Sequence, residues 1–442
     1  MTSYINRWIS SAAIYRDPRV MVILFLGFSS GLPLALTGTT LSLWLREEGL
    51  TLTSIGLFAN VATPYALKFL WAPLVDKMPI PILSRLLGRR RGWLVLTQVC
   101  LILSIFGLST TNPVDNIGLT AFFAFLVAFS SASQDIVIDA YRVEISDEKS
   151  LAAGAAAIVF GYRIGMLVSG AGALYLASTV SWQLTYAIMA AMVLIGVITT
   201  FICREPENYA PSRSAGFNAE TPRFDAYLTW IKEAVIDPLA DFAKRPGWVA
   251  ILLFVMLYKF GDSLAGVMST PFFYDLGFTK IEIANVSKVY GTAATFLGLA
   301  LGGWLMAATG LYRTLWICGF LQLGSNLMFA VQAMAGNDVT VLAATVGIEN
   351  LAGGMGTAAF VAYLSSLCNV SYTATQYALL SSFMATARIW FSSPGGLLAE
   401  SVGWVEFFLL TTVAAIPGLM LLWWLTRPGT RTRTGETETN TV

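Results

Sequence analysis

From residue 20 to residue 426 the chain is a succession of apolar stretches, and their length is what most restricts its fold. An α-helix rises about 1.5 Å per residue, so about 20 apolar residues cross the hydrocarbon core of a bilayer. Runs of that kind lie at residues 20–44, 53–76, 93–110, 117–141, 150–176, 182–202, 248–273, 281–307, 312–335, 338–367, 375–399 and 404–426. Of all residues 56% are hydrophobic and 12% charged, against about 25% charged in an ordinary soluble domain. Such a chain would leave large apolar patches in water, so its solvent is partly lipid. Several runs exceed the minimum, which implies tilt or extension beyond the bilayer. Gly31-Leu32-Pro33, Ala72-Pro73 and Ser393-Pro394-Gly395-Gly396 interrupt others, and such breaks are tolerated where helices pack closely or line a cavity.

The 442 residues include no histidine. That removes HExxH zinc sites, Ser-His-Asp triads and imidazole proton relays, and it argues against an enzyme, a metal or a resident cofactor. A net charge of +1 without a basic run offers nothing to nucleic acid. The four cysteines, Cys100, Cys203, Cys318 and Cys368, sit singly in apolar stretches and read as small buried hydrophobes. Residues 1–19 are polar and amphipathic, and the apolar run after Pro18 is too long for a signal-peptide core, so it reads as an anchor.

The long polar stretch at 203–247 divides the runs into two sets of six. Its first part carries Pro206, Pro211, Ser212, Ser214 and Gly216, and Pro222 to Lys244 mixes charges with apolar residues at helical spacing. It reads as a cytoplasmic linker followed by an amphipathic helix on the membrane face. The halves echo one another. Ala72-Pro73-Leu74-Val75-Asp76-Lys77 and Gly88-Arg89 follow the second run, and Gly303-Trp304-Leu305-Met306-Ala307 and Gly310-Leu311-Tyr312-Arg313 follow the eighth. This organisation resembles the major facilitator architecture, with twelve transmembrane helices in two six-helix bundles and the solute held at the midplane. The expected layout is an all-α polytopic membrane protein with bundles at 1–202 and 248–427, the linker at 203–247, and a disordered tail at 428–442. With the N terminus inside, 20 of the 27 Lys and Arg fall in cytoplasmic regions and two, Arg46 and Lys280, fall outside. That bias places both ends in the cytoplasm. A monomer in the lipid bilayer is expected.

A charge near the bilayer centre costs at least about 2.5–3.5 kcal/mol, so each one needs a reason. The basic ones are Lys68, Arg163, Lys259, Lys288 and Arg388; the acidic ones are Asp135, Asp139, Asp262 and Glu349. An interior with five against four is slightly positive and suits an anionic solute. Lys259 and Asp262 stand three apart and are either a local pair or a working one. Asp139 and Arg142 share that spacing nearer to water and read as gating or as a structural pair, and Lys288 reaches for the interface. Asp76 with Arg89, Arg90 and Arg91 reads as a cytoplasmic latch between helices. Burial favours the protonated form of a carboxylate and a neighbouring cation the ionised form. A group held between the two can load and release a proton in each cycle, and Asp135, Glu349 and Asp262 are the candidates. Arg163 and Arg388 offer a planar fork to a carboxylate, either the solute's or a protein partner's. Lys68, Lys259, Gln134 and Asn350 join them as candidate solute contacts, and Tyr65, Tyr162 and Tyr258 could present flat faces to a sugar ring.

Longer strings carry a family likeness: GFSSGLPLALT at Gly27–Thr37, KFLWAPLVD at Lys68–Asp76, GRRRGW at Gly88–Trp93, SASQDIV at Ser131–Val137 and GYRIGMLVSG at Gly161–Gly170. LYKFGD at Leu257–Asp262, ENLAGGMGT at Glu349–Thr357 and ATQYALLS at Ala374–Ser381 continue it. These strings resemble the AmpG family of bacterial muropeptide permeases. The resemblance implies a proton-driven importer in the bacterial inner membrane, with no cofactor beyond the proton gradient. Its cargo would be GlcNAc-anhydroMurNAc with or without a peptide stem, taken up for peptidoglycan recycling and, in many bacteria, signalling β-lactamase induction. The rival with the same fold is a permease for another anionic conjugate such as acyl-coenzyme A. A non-transporting membrane sensor is a further alternative, against which the short linker argues.

Overall fold

Hydrocarbon offers no partner to a backbone amide, so a spanning segment closes its hydrogen bonds on itself as a helix. The structure, a computed structural model, describes residues 17–145, 151–206, 237–245, 247–367 and 373–427, and every element among them is helical. In chain order the principal helices are α1 (Pro18–Thr37), α2 (Thr39–Glu47), α3 (Thr63–Leu67), α4 (Arg89–Ser109), α5 (Ile117–Ile145), α6 (Leu151–Leu167) and α7 (Leu194–Ile202). They continue with α8 (Trp248–Leu257), α9 (Phe260–Asp275), α10 (Gly291–Thr309), α11 (Leu311–Ala335), α12 (Val339–Ser366), α13 (Thr373–Ser392) and α14 (Trp404–Thr426). Ten stretches of the described chain are helices long and apolar enough to cross a membrane. The second apolar run is different. Residues 52–77 fold as a string of short α and 3-10 pieces, with Pro64 and Pro73 each opening a new piece because proline lacks a backbone donor. The eleventh run breaks at Pro394, between α13 and the helix Gly395–Val402. Of the expected linker helix, Asp237–Ala243 is seen; the rest of that expectation and the tail at 428–442 lie outside the described residues.

The chain divides into two compact units, Met1–Tyr209 with Phe278–Lys288, and Ala210–Gly277 with Val289–Val442. The short stretch after Gly277 therefore departs from the division expected from chain order. Lys280 explains it: its ammonium pairs with Glu47 at 2.9 Å, donates to the Ala177 carbonyl at 2.7 Å and stands over the Trp182 ring at 5.0 Å.

In the first unit α1 and α6 meet backbone to backbone. Gly27 and Gly31 face one way, Gly161 and Gly165 the other. A Cβ at Gly31 would lie 2.0 Å from the Tyr162 carbonyl oxygen, and one at Gly161 would lie 2.0 Å from that of Leu24. Small residues four apart are how membrane helices approach closely where lipid supplies no hydrophobic drive. In the second unit Gly298 of α10 and Gly354 of α12 do the same, with built Cβ atoms 2.3 Å from the Leu351 oxygen and 2.4 Å from the Thr295 oxygen. The second unit's core stacks Tyr258 on Phe360 and sets Phe254 edge-on to Tyr363. The echo in the sequence is a backbone echo too: Gly88 and Gly310, at φ 94° and 82°, cap the N-termini of α4 and α11 in the left-handed region that glycine tolerates. Cys203 and Cys318 are buried, whereas Cys100 is exposed on the surface of α4; Cys368 lies outside the described residues.

Candidate functional site

In the first unit four intramembrane charges share one cavity of about 390 Å³, lined by Ser30, Lys68, Asp135, Asp139, Tyr162 and Arg163 with Ile138, Ile158 and Val159 between them. Helix periodicity explains the set. Asp135 and Asp139 are one turn apart on α5, and Val159 and Arg163 one turn apart on α6. The α1–α6 glycine contact fixes Tyr162 and Arg163 relative to Ser30. The Ser30 hydroxyl donates to the Asp135 carboxylate at 2.5 Å, and Lys68 lies in electrostatic range of the same carboxylate. Tyr65 of α3 stands against this group, its buried hydroxyl within reach of Ser131 and Thr37 and in electrostatic range of Asp135. Gln134 faces away from the cavity: it is fully buried, and its side-chain oxygen accepts from Ser29 at 3.4 Å. Lys288 lies with the first unit as well, its stem against Gly170.

In the second unit the charges gather around Lys259. The span broken at Tyr258–Lys259 restarts as α9, and Asp262 falls in its first turn, where free backbone amides favour an anion. Lys259 donates to the Thr357 hydroxyl at 2.8 Å and leans on the Gly353 carbonyl at 3.4 Å. Asp262, Glu349 and Arg388 lie within its electrostatic range. Asn350 donates to Glu349 at 2.5 Å and accepts from Thr295 of α10 at 2.9 Å, so it joins α12 to α10. Tyr258 is packed, not open: it is 4% exposed and its hydroxyl donates to the Leu315 carbonyl at 2.8 Å. Among the described residues no group of three or more His, Cys, Asp or Glu is set to hold a metal ion.

The family model described as Major Facilitator Superfamily matches residues 23–265. An anhydromuropeptide permease of Escherichia coli strain K12 is 41% identical over 411 residues, covering 92% of this chain and 80% of that protein. A putative transporter AmpG 4 of Rickettsia felis is 38% identical and covers 94% of this chain and 98% of its own. The chain belongs to the AmpG family of the major facilitator superfamily. Its fold is shared beyond the family. A bacterial homologue of the human lysosomal transporter Spinster, in an inward-facing and unoccupied conformation, superposes with a TM-score of 0.70 at 13% identity, over 97% of this chain and 99% of that one.

The arginines of the GRRRGW string of this AmpG-family chain find partners on α5, at the end of α7 and just after it. Arg90, 4% exposed, makes a bidentate pair with Glu144, and Arg89 approaches the same carboxylate at 3.6 Å. Arg91 donates to the Thr200 and Phe201 carbonyls, and Glu205 accepts the backbone amides of Arg90 and Arg91 at 2.8 and 3.0 Å. The latch expected with Asp76 thus runs through Glu144 and Glu205; the Asp76 side chain lies outside the described residues. Asp139 and Arg142 form no ion pair, and the Arg142 Nε is buried without a partner. Ser30, Thr357, Glu144 and Glu205 contact these candidate residues, and the sequence pattern did not single them out. For Ser30 a signal existed: two serines flanked by glycines inside an apolar run.

Proposed function

We propose that the chain is a proton-driven importer of anhydromuropeptides in the bacterial inner membrane, feeding peptidoglycan recycling. The substrate class follows from its 41% identity to a protein named an anhydromuropeptide permease. The observation that carries the mechanism is the first-unit cavity, where Asp135 and Asp139 face Lys68 and Arg163. With Asp135 ionised, Lys68 is neutralised within the protein. A proton arriving at Asp135 frees Lys68 to hold the solute's carboxylates beside Arg163, so loading of proton and of solute favour each other. Around Lys259 the second unit offers a parallel set, with Asp262 and Glu349 as proton carriers and Arg388 and Asn350 as solute contacts. The finer reading is twelve spans, residues 52–77 and α13 included, with both termini cytoplasmic and a monomer as the working unit.

The test is uptake of labelled GlcNAc-anhydroMurNAc-tripeptide into right-side-out vesicles under an acid-outside gradient. Accumulation that a protonophore collapses, and that unlabelled anhydromuropeptides but not acyl-coenzyme A compete away, is the expected result. Absence of uptake together with competition by acyl-coenzyme A against a labelled conjugate overturns the cargo.

A further inference from the structure

The polar row behind Asp262 has no role in the mechanism so far. α11 carries Gln322 and Asn326 one turn apart through the interior of the second unit, 3% and 1% exposed. The Asn326 amide nitrogen and both polar atoms of Gln322 are buried without a hydrogen-bond partner. Leaving such groups unmade is costly, so a row of three orphaned atoms calls for a use. Two glycines make room for it. A Cβ at Gly261 would lie 3.1 Å from the Asn326 nitrogen, and one at Gly356 would lie 2.3 Å from the Gln322 nitrogen. Gly261 precedes Asp262, and Asn326 is the side chain of α11 that interacts with that carboxylate. Asn326 is thus a neutral amide set beside the Asp262 carboxylate, within reach of a hydrogen bond to its ionised form.

We infer that Asn326 is a positioning residue for Asp262: it holds the ionised carboxylate and lets it go when a proton arrives, with Gln322 supplying the next polar contact along α11. This deepens the proton-driven import proposed above and rests on it. The other groups facing Asp262 are Lys259 across the helix break and Tyr258 before it. Through Lys259 come Arg388 from α13, Glu349 from α12 and Cys318 from α11. From α14 the Thr411 carbonyl lies beside Gly261, and Gly395, at the start of the short helix between α13 and α14, packs on Leu264. The Tyr258 hydroxyl is spent on the Leu315 carbonyl, and the others supply no neutral donor in place of Asn326.

The experiment compares two modes in the same proteoliposomes: gradient-driven accumulation of labelled GlcNAc-anhydroMurNAc, and its gradient-free exchange. N326L is expected to lower accumulation about tenfold while exchange stays within about threefold of wild type. The pH at half-maximal accumulation moves up by about one unit, because a hydrogen bond to the charged form has been removed. N326S keeps a donor and recovers most of the coupling; Q322L gives the weaker form of the N326L effect. If N326L does not fold, N326A is read the same way. Equal loss of both modes, an unmoved pH profile, or unchanged accumulation overturns the inference. Failure of the wild type to accumulate the compound, by contrast, removes the import reading beneath it.

Discussion

Asp135 is the carboxylate at the centre of the first-unit cluster. A carboxylate that lines a cavity, accepts from Ser30 at 2.5 Å and faces Lys68 can exist with or without its proton, and that is what coupling requires. D135N fixes the uncharged form. It is expected to cut gradient-driven accumulation at least about tenfold and leave gradient-free exchange in place. S30A removes one hydrogen bond to a charged group, worth about 1.5–3 kcal/mol, and is expected to weaken accumulation without abolishing it. Loss of exchange in D135N would instead assign Asp135 to solute binding alone. The charged members of both clusters were legible in the sequence because a charge in an apolar run is expensive and so conspicuous. Thr357 was not, and Ser30 only through its glycine-flanked serine pair, since a hydroxyl in a helix usually satisfies itself on the carbonyl one turn back and then says nothing about neighbours. Tyr258 misled for the same kind of reason: an aromatic near charges reads alike whether it packs on Phe360 or faces solute.

At the scale of elements the glycines decide. G161V drives a side chain into the Leu24 carbonyl, a backbone atom that cannot swing aside, so the variant is expected not to reach the membrane in folded form. G324A is the control, because nothing lies within 4 Å of that position, and its melting temperature is expected to stay at the wild-type value. The Arg90–Glu144 pair sets a second test. Removing one partner of a buried pair costs about 3–5 kcal/mol, whereas replacing both with apolar residues costs far less. E144L is therefore expected to lower the melting temperature in detergent more than R90M/E144L does, and the reverse order would make the pair a surface ornament. Apolar runs foretold twelve spans; ten are long apolar helices among the described residues, the second folds as short pieces opened at Pro64 and Pro73, and the eleventh breaks at Pro394. Pairings such as Lys280 with Glu47 join residues 233 positions apart; no local pattern encodes them.

For the whole molecule the charge bias between loops is a statement about sidedness. In a background without the native cysteines, D115C is expected to react with an impermeant maleimide added outside intact cells, and K244C only after permeabilisation. The opposite pattern would invert the topology. The superfamily was within reach of the sequence because lipid restricts a chain to few architectures and the loops carry their own orientation signal. The structure groups Phe278–Lys288 with the first unit, a placement that chain order does not encode.

The glycine contact between α1 and α6 also says which side of the cavity yields. Helices that touch carbonyl to Cα cannot slide or part without losing their whole interface, so Ser30, Tyr162 and Arg163 ride on one stiff plank. Room for a bulky sugar must then come from α5 and the short pieces around Lys68. Swelling on that side stretches the Ser30–Asp135 bond first, so an arriving guest would tug on the carboxylate proposed to carry the proton.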